Sequence, residues 1–327
     1  MIQRPNPGRR VQLLFRAAAG AALVASIAQV FLGGVVRVTD SGLGCPDWPL
    51  CHGRVVPPFE LTTLIEYSHR LSASLLTLLA LVVAVMSWMY HRRDPLVSVP
   101  AVLGLVLILV AAVLGGVTVL TDLAWWVVLL HLGLAQSVVA CMATVVVMSW
   151  RRNAGATDYD EMRGADVLNR LVLVTVAATF LLILSGSYMV GYGAGMSCGT
   201  WPLCRGGIVP DHAVQVVHVA HRYVAAAVGV LVIATAAAVW ARAGGNKPMR
   251  WSAAGLAIAF GAQVMGGAAM VWTGFSDGMR GLHLGLATMV WLALVVMALL
   301  VLPMHRLRLG QPFGGRGRIS EPRRITP

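Results

Sequence analysis

The feature that most constrains this 327-residue chain is a series of apolar runs, each long enough to cross a bilayer. They fall at about residues 14–36, 64–90, 97–120, 124–149, 170–192, 214–240, 251–273 and 280–303. At about 1.5 Å rise per residue, roughly 20 residues span a ~30 Å hydrocarbon core. Inside that core each backbone polar group must be satisfied by its own segment, which for runs of this length means helices. Only 12% of residues are charged and 58% are hydrophobic, whereas a soluble domain carries about a quarter charged residues. Soluble, disordered and fibrous folds are thereby excluded, and an all-α integral membrane protein with eight transmembrane helices is expected.

The formal net charge of +12 is not a nucleic-acid footprint, because the basic residues cluster between spans. With the N-terminus inside, 19 of the 25 Lys and Arg residues face the cytoplasm, against 6 of the 13 carboxylates. The positive-inside rule selects this orientation, with both termini cytoplasmic in the cell membrane and the excess charge facing anionic lipid. Trp88, Trp150, Trp240 and Trp251 fall at inner helix ends, as an interfacial belt requires. Arg4, Arg9, Arg10 and Arg16 precede a first run too long for a signal peptide, so it is expected to be a retained span.

The two halves carry the same marks in order. Cys45, Trp48-Pro-Leu-Cys51, His69-Arg70, Gly115-Gly116 and His131-Leu-Gly-Leu-Ala135 recur as Cys198, Trp201-Pro-Leu-Cys204, His221-Arg222, Gly266-Gly267 and His283-Leu-Gly-Leu-Ala287, at offsets of 151 to 153. This is a duplicated four-helix unit. An even helix number gives both copies the same orientation, hence two tandem four-helix bundles related by a pseudo-twofold along the membrane normal. The expected organisation is an arm at 1–13, an N-terminal half at 14–150, a linker at 151–169, a C-terminal half at 170–303, and a basic, solvated tail at 304–327.

Titratable groups inside spans are costly and mark function. His69 and His131 lie ~9 to 10 Å below the outer surface, and His221 and His283 repeat that depth. Two imidazoles at matched depth on neighbouring helices can ligate one haem iron from opposite faces, giving one candidate site per half, toward the outer face. Zinc would want three or four clustered ligands, and a di-iron site more glutamates than the single one inside these spans. Arg70 and Arg222 suit haem propionates, or else snorkel to headgroups. The glycine pairs, including Gly33-Gly34, suit either a flat macrocycle or helix packing. Glu66 in the first half corresponds to His218 in the second. A carboxylate there can move protons, so the first half reads as reactive and the second as an electron-transfer site. Arg37, Thr39, Asp40 and Asp122 also lack counterparts and gather at the first bundle's outer mouth. The pairs Cys45/Cys51 and Cys198/Cys204 sit in outer loops, fitting either a disulfide clamp or reversible thiol chemistry. Cys141 stands alone in the fourth span, where it serves packing.

The run Gly33-Gly-Val-Val-Arg37-Val-Thr-Asp-Ser-Gly-Leu-Gly-Cys45-Pro-Asp-Trp48-Pro-Leu-Cys51, with Glu66-x-x-His69-Arg70, His131, His221-Arg222 and His283, resembles the bacterial haem A synthases over essentially all eight spans. The resemblance implies oxidation of the C8 methyl of haem O to a formyl group by successive hydroxylations, giving haem A for terminal oxidases. It also implies a haem b cofactor on His221 and His283, with substrate haem near His69 and His131. Glu66 carries over as the important carboxylate, and Cys45 and Cys51 as the functional loop pair; Cys198 and Cys204 are not general in that family. Implied partners are haem O, the protohaem farnesyltransferase that makes it, and an electron donor. From the residues alone two other readings stay open. One is a dihaem b-type electron carrier, which uses the four histidines symmetrically and has no need of Glu66. The other is a transporter built from parallel repeats.

Overall fold

The structure is a computed structural model describing residues 8–151, 165–205 and 207–302. The expected arm up to residue 7, linker residues 152–164 and the tail from 304 lie outside the described residues. Eight helices follow in order: α1 (Arg9–Val38), α2 (Leu61–His91), α3 (Pro95–Leu120), α4 (Trp125–Arg151), α5 (Ala165–Gly191), α6 (Ala213–Arg242), α7 (Lys247–Trp272) and α8 (Asp277–Val301). All eight are long and apolar enough to cross a membrane. They overrun the expected spans by a few residues because polar ends extend each helix past its apolar stretch.

Helix boundaries follow local chemistry. Proline in the first two positions starts α3 and α7, where a missing N–H costs nothing. The Asn246 side chain accepts the Met249 N–H and caps α7. The linkers after α3 and α7 turn sharply through Leu123 and Phe275, both at φ near +60°, so the repeat extends to its turns.

In each half the helices close a ring in chain order, α1–α2–α3–α4 and α5–α6–α7–α8, with the last packing back on the first. α2 and α4 therefore stand diagonally across the first bundle, as do α6 and α8 in the second. Between halves, α1 packs on α8, α5 packs on α4, and α4 packs on α8. Those relations are consistent with a twofold that exchanges α1 with α5 and α4 with α8, its axis passing between α4 and α8.

The core is small-residue and aliphatic, with one cluster per half and Trp291 joining the first from α8. Large apolar side chains such as Leu78, Val113, Val230 and Ile258 point outward, the inverse of a soluble surface and suited to lipid. The four tryptophans expected in a belt are exposed. Arg16 lies over Trp150 at 4.3 Å and Arg250 over Trp240 at 4.5 Å. Cys141 is a buried free thiol in α4.

Candidate functional site

Each histidine of the repeat meets a glycine of the helix before it. A Cβ on Gly33 (α1) would stand 3.1 Å from His69 Cε1 on α2, and one on Gly115 (α3) 3.3 Å from His131 Cε1 on α4. In the second half the same relation holds between Gly186 (α5) and His221 (α6) at 3.2 Å, and between Gly267 (α7) and His283 (α8) at 3.1 Å. Only glycine lets the rings lie against these backbones without displacement. The glycine pairs thus divide their roles, because Gly34, Gly116 and Gly266 meet Leu284, the Trp48 ring and Leu286 instead. The structural partner of Gly115 is Gly267 rather than Gly266, an offset of 152. Gly186, flanked by serines, was not singled out from sequence because it belongs to no glycine pair.

The histidines come together in twos. His69 and His131 are within electrostatic range of each other, and so are His221 and His283. The expectation of neighbouring helices is corrected: α2 and α4, like α6 and α8, stand diagonally across their bundles. Among the described residues no three His, Cys, Asp or Glu side chains converge. Polar side chains orient the rings. The Gln29 amide nitrogen lies 3.0 Å from His69 Nδ1, Ser185 Oγ lies 2.8 Å from His221 Nδ1, and Gln263 Nε2 lies 3.2 Å from His283 Nε2. Ser185 donates to the Leu182 carbonyl and can accept the His221 Nδ1–H, which frees Nε2 for a metal. Buried Nδ1 atoms of His131 and His283 have no hydrogen-bond partner. Glycine-floored histidines on diagonal helices, with His221 Nε2 left for a metal, suit axial ligation of a planar metallomacrocycle.

Arg70 and Arg222 do other work than expected. Arg70 Nε donates to Glu66 Oε1 at 3.0 Å, and its Nη atoms donate to the carbonyls of Cys45, Asp47 and Leu50 at 2.8 to 2.9 Å. Arg222 donates to the carbonyls of Cys198, Thr200 and Pro202, and to His218 Nε2 at 3.0 Å. Four of five N–H groups on each guanidinium are therefore committed within the protein, and these arginines clamp the cysteine loops onto α2 and α6.

The clamped loops are near copies. Cys45–Cys51 and Cys198–Cys204 are bonded, Cα atoms 4.7 and 5.1 Å apart, and all four cysteines are buried. Both loops carry a cis Trp-Pro bond, and Tyr67 and Tyr223 hydroxyls donate at 2.5 Å to the carbonyls of Val55 and Ile208. In the first loop the Asp47 carboxylate accepts the backbone N–H groups of His52 and Gly53 at 2.6 and 2.7 Å. The Gly53 N–H above all holds its carboxyl below the usual carboxylate range.

His218 now has a place. It is buried, its Nδ1–H donates to the Ala194 carbonyl at 2.9 Å, and its Nε2 accepts from Arg222. It thus replaces Glu66 as the arginine's acceptor, with both nitrogens committed, whereas buried Glu66 keeps a second carboxylate oxygen beyond the one that Arg70 Nε holds.

Fold and site together define a multi-pass helical membrane protein with a glycine-floored histidine pair in each half. Comparison with known proteins is specific. The cytochrome oxidase assembly protein family (COX15-CtaA) matches residues 17–62 and 58–295, and the chain belongs to that family. A haem A synthase of Symbiobacterium thermophilum is 30% identical over 287 residues, 85% of this chain and 92% of the relative. Those of Bacillus pumilus and Halalkalibacterium halodurans are 27% and 28% identical, over 59% and 64% of this chain and 64% and 70% of the relatives. The matched region thus spans just under two thirds of the Bacillus pumilus relative's length.

Proposed function

We propose that the chain is a haem A synthase, which oxidises the C8 methyl group of haem O to a formyl group. The observation that carries this reading is the asymmetry of two otherwise matched sites: both pair histidines across a bundle, but only the N-terminal one has a carboxylate a turn away. His69 and His131 hold substrate haem there, and Glu66 exchanges a proton through Oε2 while Arg70 fixes Oε1. His221 and His283 hold haem b in the C-terminal half, where His218 has no nitrogen left for proton transfer. Bound haem b supplies one-electron redox chemistry. Two hydroxylations, each a two-electron oxidation, and loss of water from the gem-diol take the methyl to the aldehyde, so an oxygen source and an electron acceptor, molecular oxygen or water with an external oxidant, must be co-substrates. Family relatives named haem A synthase support the reading. Partners are a haem O-making farnesyltransferase and an electron donor. Positive-inside bias puts both termini in the cytoplasm and the sites near the outer face of the cell membrane. The halves at 14–150 and 170–303 act as substrate and cofactor domains.

The test is to express the chain in a host that makes haem O but has no synthase, then separate extracted haems by chromatography and identify them by mass. Haem A should accumulate. With Glu66→Gln, haem should stay bound while products stall before the aldehyde. No haem A from the unaltered chain would overturn the assignment; undiminished haem A with Glu66→Gln would remove the carboxylate's role.

A further inference from the structure

With Arg70 and Arg222 committed to loop carbonyls, the haem carboxylates lack the cation expected for them, and the molecule carries another. Arg37 ends the stripe of α1 that contains Gly33: four residues apart, the two share a helix face, with Arg37 one turn of about 5.4 Å closer to the cysteine loops. Gly33 is the glycine against which the His69 ring lies. Arg37 therefore lies one turn outward of the α1 position that floors the His69 ring, where α1 meets the second half. Its one hydrogen bond among the described residues is long and to a neutral group, Nη1 to Ser187 Oγ of α5 at 3.4 Å. No carboxylate among the described residues pairs with it, although it is only partly exposed. Instead a second guanidinium, that of Arg280, lies within electrostatic range. Arg280 precedes His283 by three residues on α8, and its own carboxylate partner is Asp277 at 3.0 Å. Asp277 thus pairs with Arg280 and leaves Arg37 without a carboxylate among the described residues. That arrangement leaves an uncompensated positive charge, unfavourable unless an anion completes it.

We infer that Arg37 is the carboxylate anchor of the N-terminal site, its guanidinium binding a propionate of the haem held between His69 and His131, with Arg280 adding to the field. The planar fork suits a carboxylate bidentately. The inference rests on the reading of the His69–His131 pair as a haem site. It explains why Arg37 has no counterpart in the repeat: the residue offset by 153 is Val190, so the C-terminal half has no such anchor on α5.

The full-length chain, purified in detergent from a haem-deficient host, is titrated with haem b and with haem b dimethyl ester, whose carboxylates are blocked, and binding is read from the Soret band. In a His221→Ala background, which isolates the N-terminal pair, haem b should bind about tenfold tighter than the ester. Arg37→Gln should lower haem b affinity about tenfold, leave the ester unchanged and so abolish the preference, while Arg37→Lys should retain part of it. In a His69→Ala background, Arg37→Gln should change affinity by less than about twofold. Equal affinity for acid and ester with Arg37 intact overturns the inference without relying on any arginine variant. A preference surviving Arg37→Gln, or an equal loss in the His69→Ala background, overturns it as well. Absence of a Soret band with all four histidines intact would defeat the haem reading itself, an outcome distinct from haem binding without ester discrimination.

Discussion

Replacing Gly33 with alanine tests the site through the contact between α1 and the His69 ring. The added methyl would stand 3.1 Å from Cε1, 3.7 Å from Nε2 and 3.8 Å from Nδ1 of His69. Ordinary carbon contacts begin near 3.5 Å, so the ring must withdraw by about 0.3 to 0.5 Å. It cannot withdraw freely, because Gln29 holds both its Nδ1 and its backbone carbonyl at 3.0 Å. Overpacking of this kind costs about 1–3 kcal/mol, and alanine in place of glycine in a helix returns about 1 kcal/mol. Net stability should therefore fall by about 0–2 kcal/mol. Haem affinity should fall further, about tenfold or more, since a metal site tolerates only about 0.5 Å of ligand displacement. Gly20→Ala is the control on the same helix: its Cβ meets nothing within 4 Å, so it should stabilise by about 1 kcal/mol and leave haem untouched. Thermal unfolding in detergent, Soret titration and the low-temperature EPR of the ferric bis-imidazole centre separate these effects. If Gly33→Ala binds haem with unaltered affinity and EPR while Gly20→Ala behaves as expected, the glycine is a packing residue and the cradle argument fails.

On the axis between the halves, Gln136 Nε2 donates to Thr288 Oγ1 at 2.9 Å while Gln136 Oε1 has no partner. Thr288→Val strands both polar ends of a fully buried amide and should cost about 1–3 kcal/mol, whereas Gln136→Leu removes the amide altogether and should be nearly neutral; equal melting-temperature losses would contradict this. In the first cysteine loop, Asp47 gains its two N–H bonds only when ionised. Because its folded pKa is depressed, its support is full above the ordinary carboxyl value of 3.8 and is lost as pH falls through a lower value. Phosphine reduction of Cys45–Cys51 should therefore accelerate below that pH, while Asp47→Asn should reduce quickly and without that acid step; matching profiles for the two proteins would refute the role.

Spans, the internal repeat and the four candidate histidines were legible because each is a one-dimensional signal: apolar run length, a constant offset, and costly residues at matched depth. Helix rotation and ring closure were not. That α2 faces α4 diagonally depends on α1 closing against α4, which no spacing states. The loop contacts of Arg70 and Arg222 were hidden for a related reason. Their partners are main-chain carbonyls of a folded-back loop, and carbonyls carry no side-chain mark in a sequence. The sequence marks His218 only as the counterpart of Glu66, and its partner Arg222 emerges from the fold. Gly186 was hidden by its serines, although Ser185-Gly186 supplies both the floor beneath the His221 ring and the hydroxyl beside it.

The bond between Gln136 and Thr288 has one more consequence. The two residues occupy equivalent places in the repeats, 152 apart, and meet each other where the pseudo-twofold passes. Had the four-helix unit assembled as a homodimer of separate chains, each residue at this place would face its own twin, and a glutamine–threonine pair could not exist. Fusion into one polypeptide is what permits a heterotypic contact on the axis. It also fixes which bundle lies on which side, so a freely exchanging single half would lose that contact.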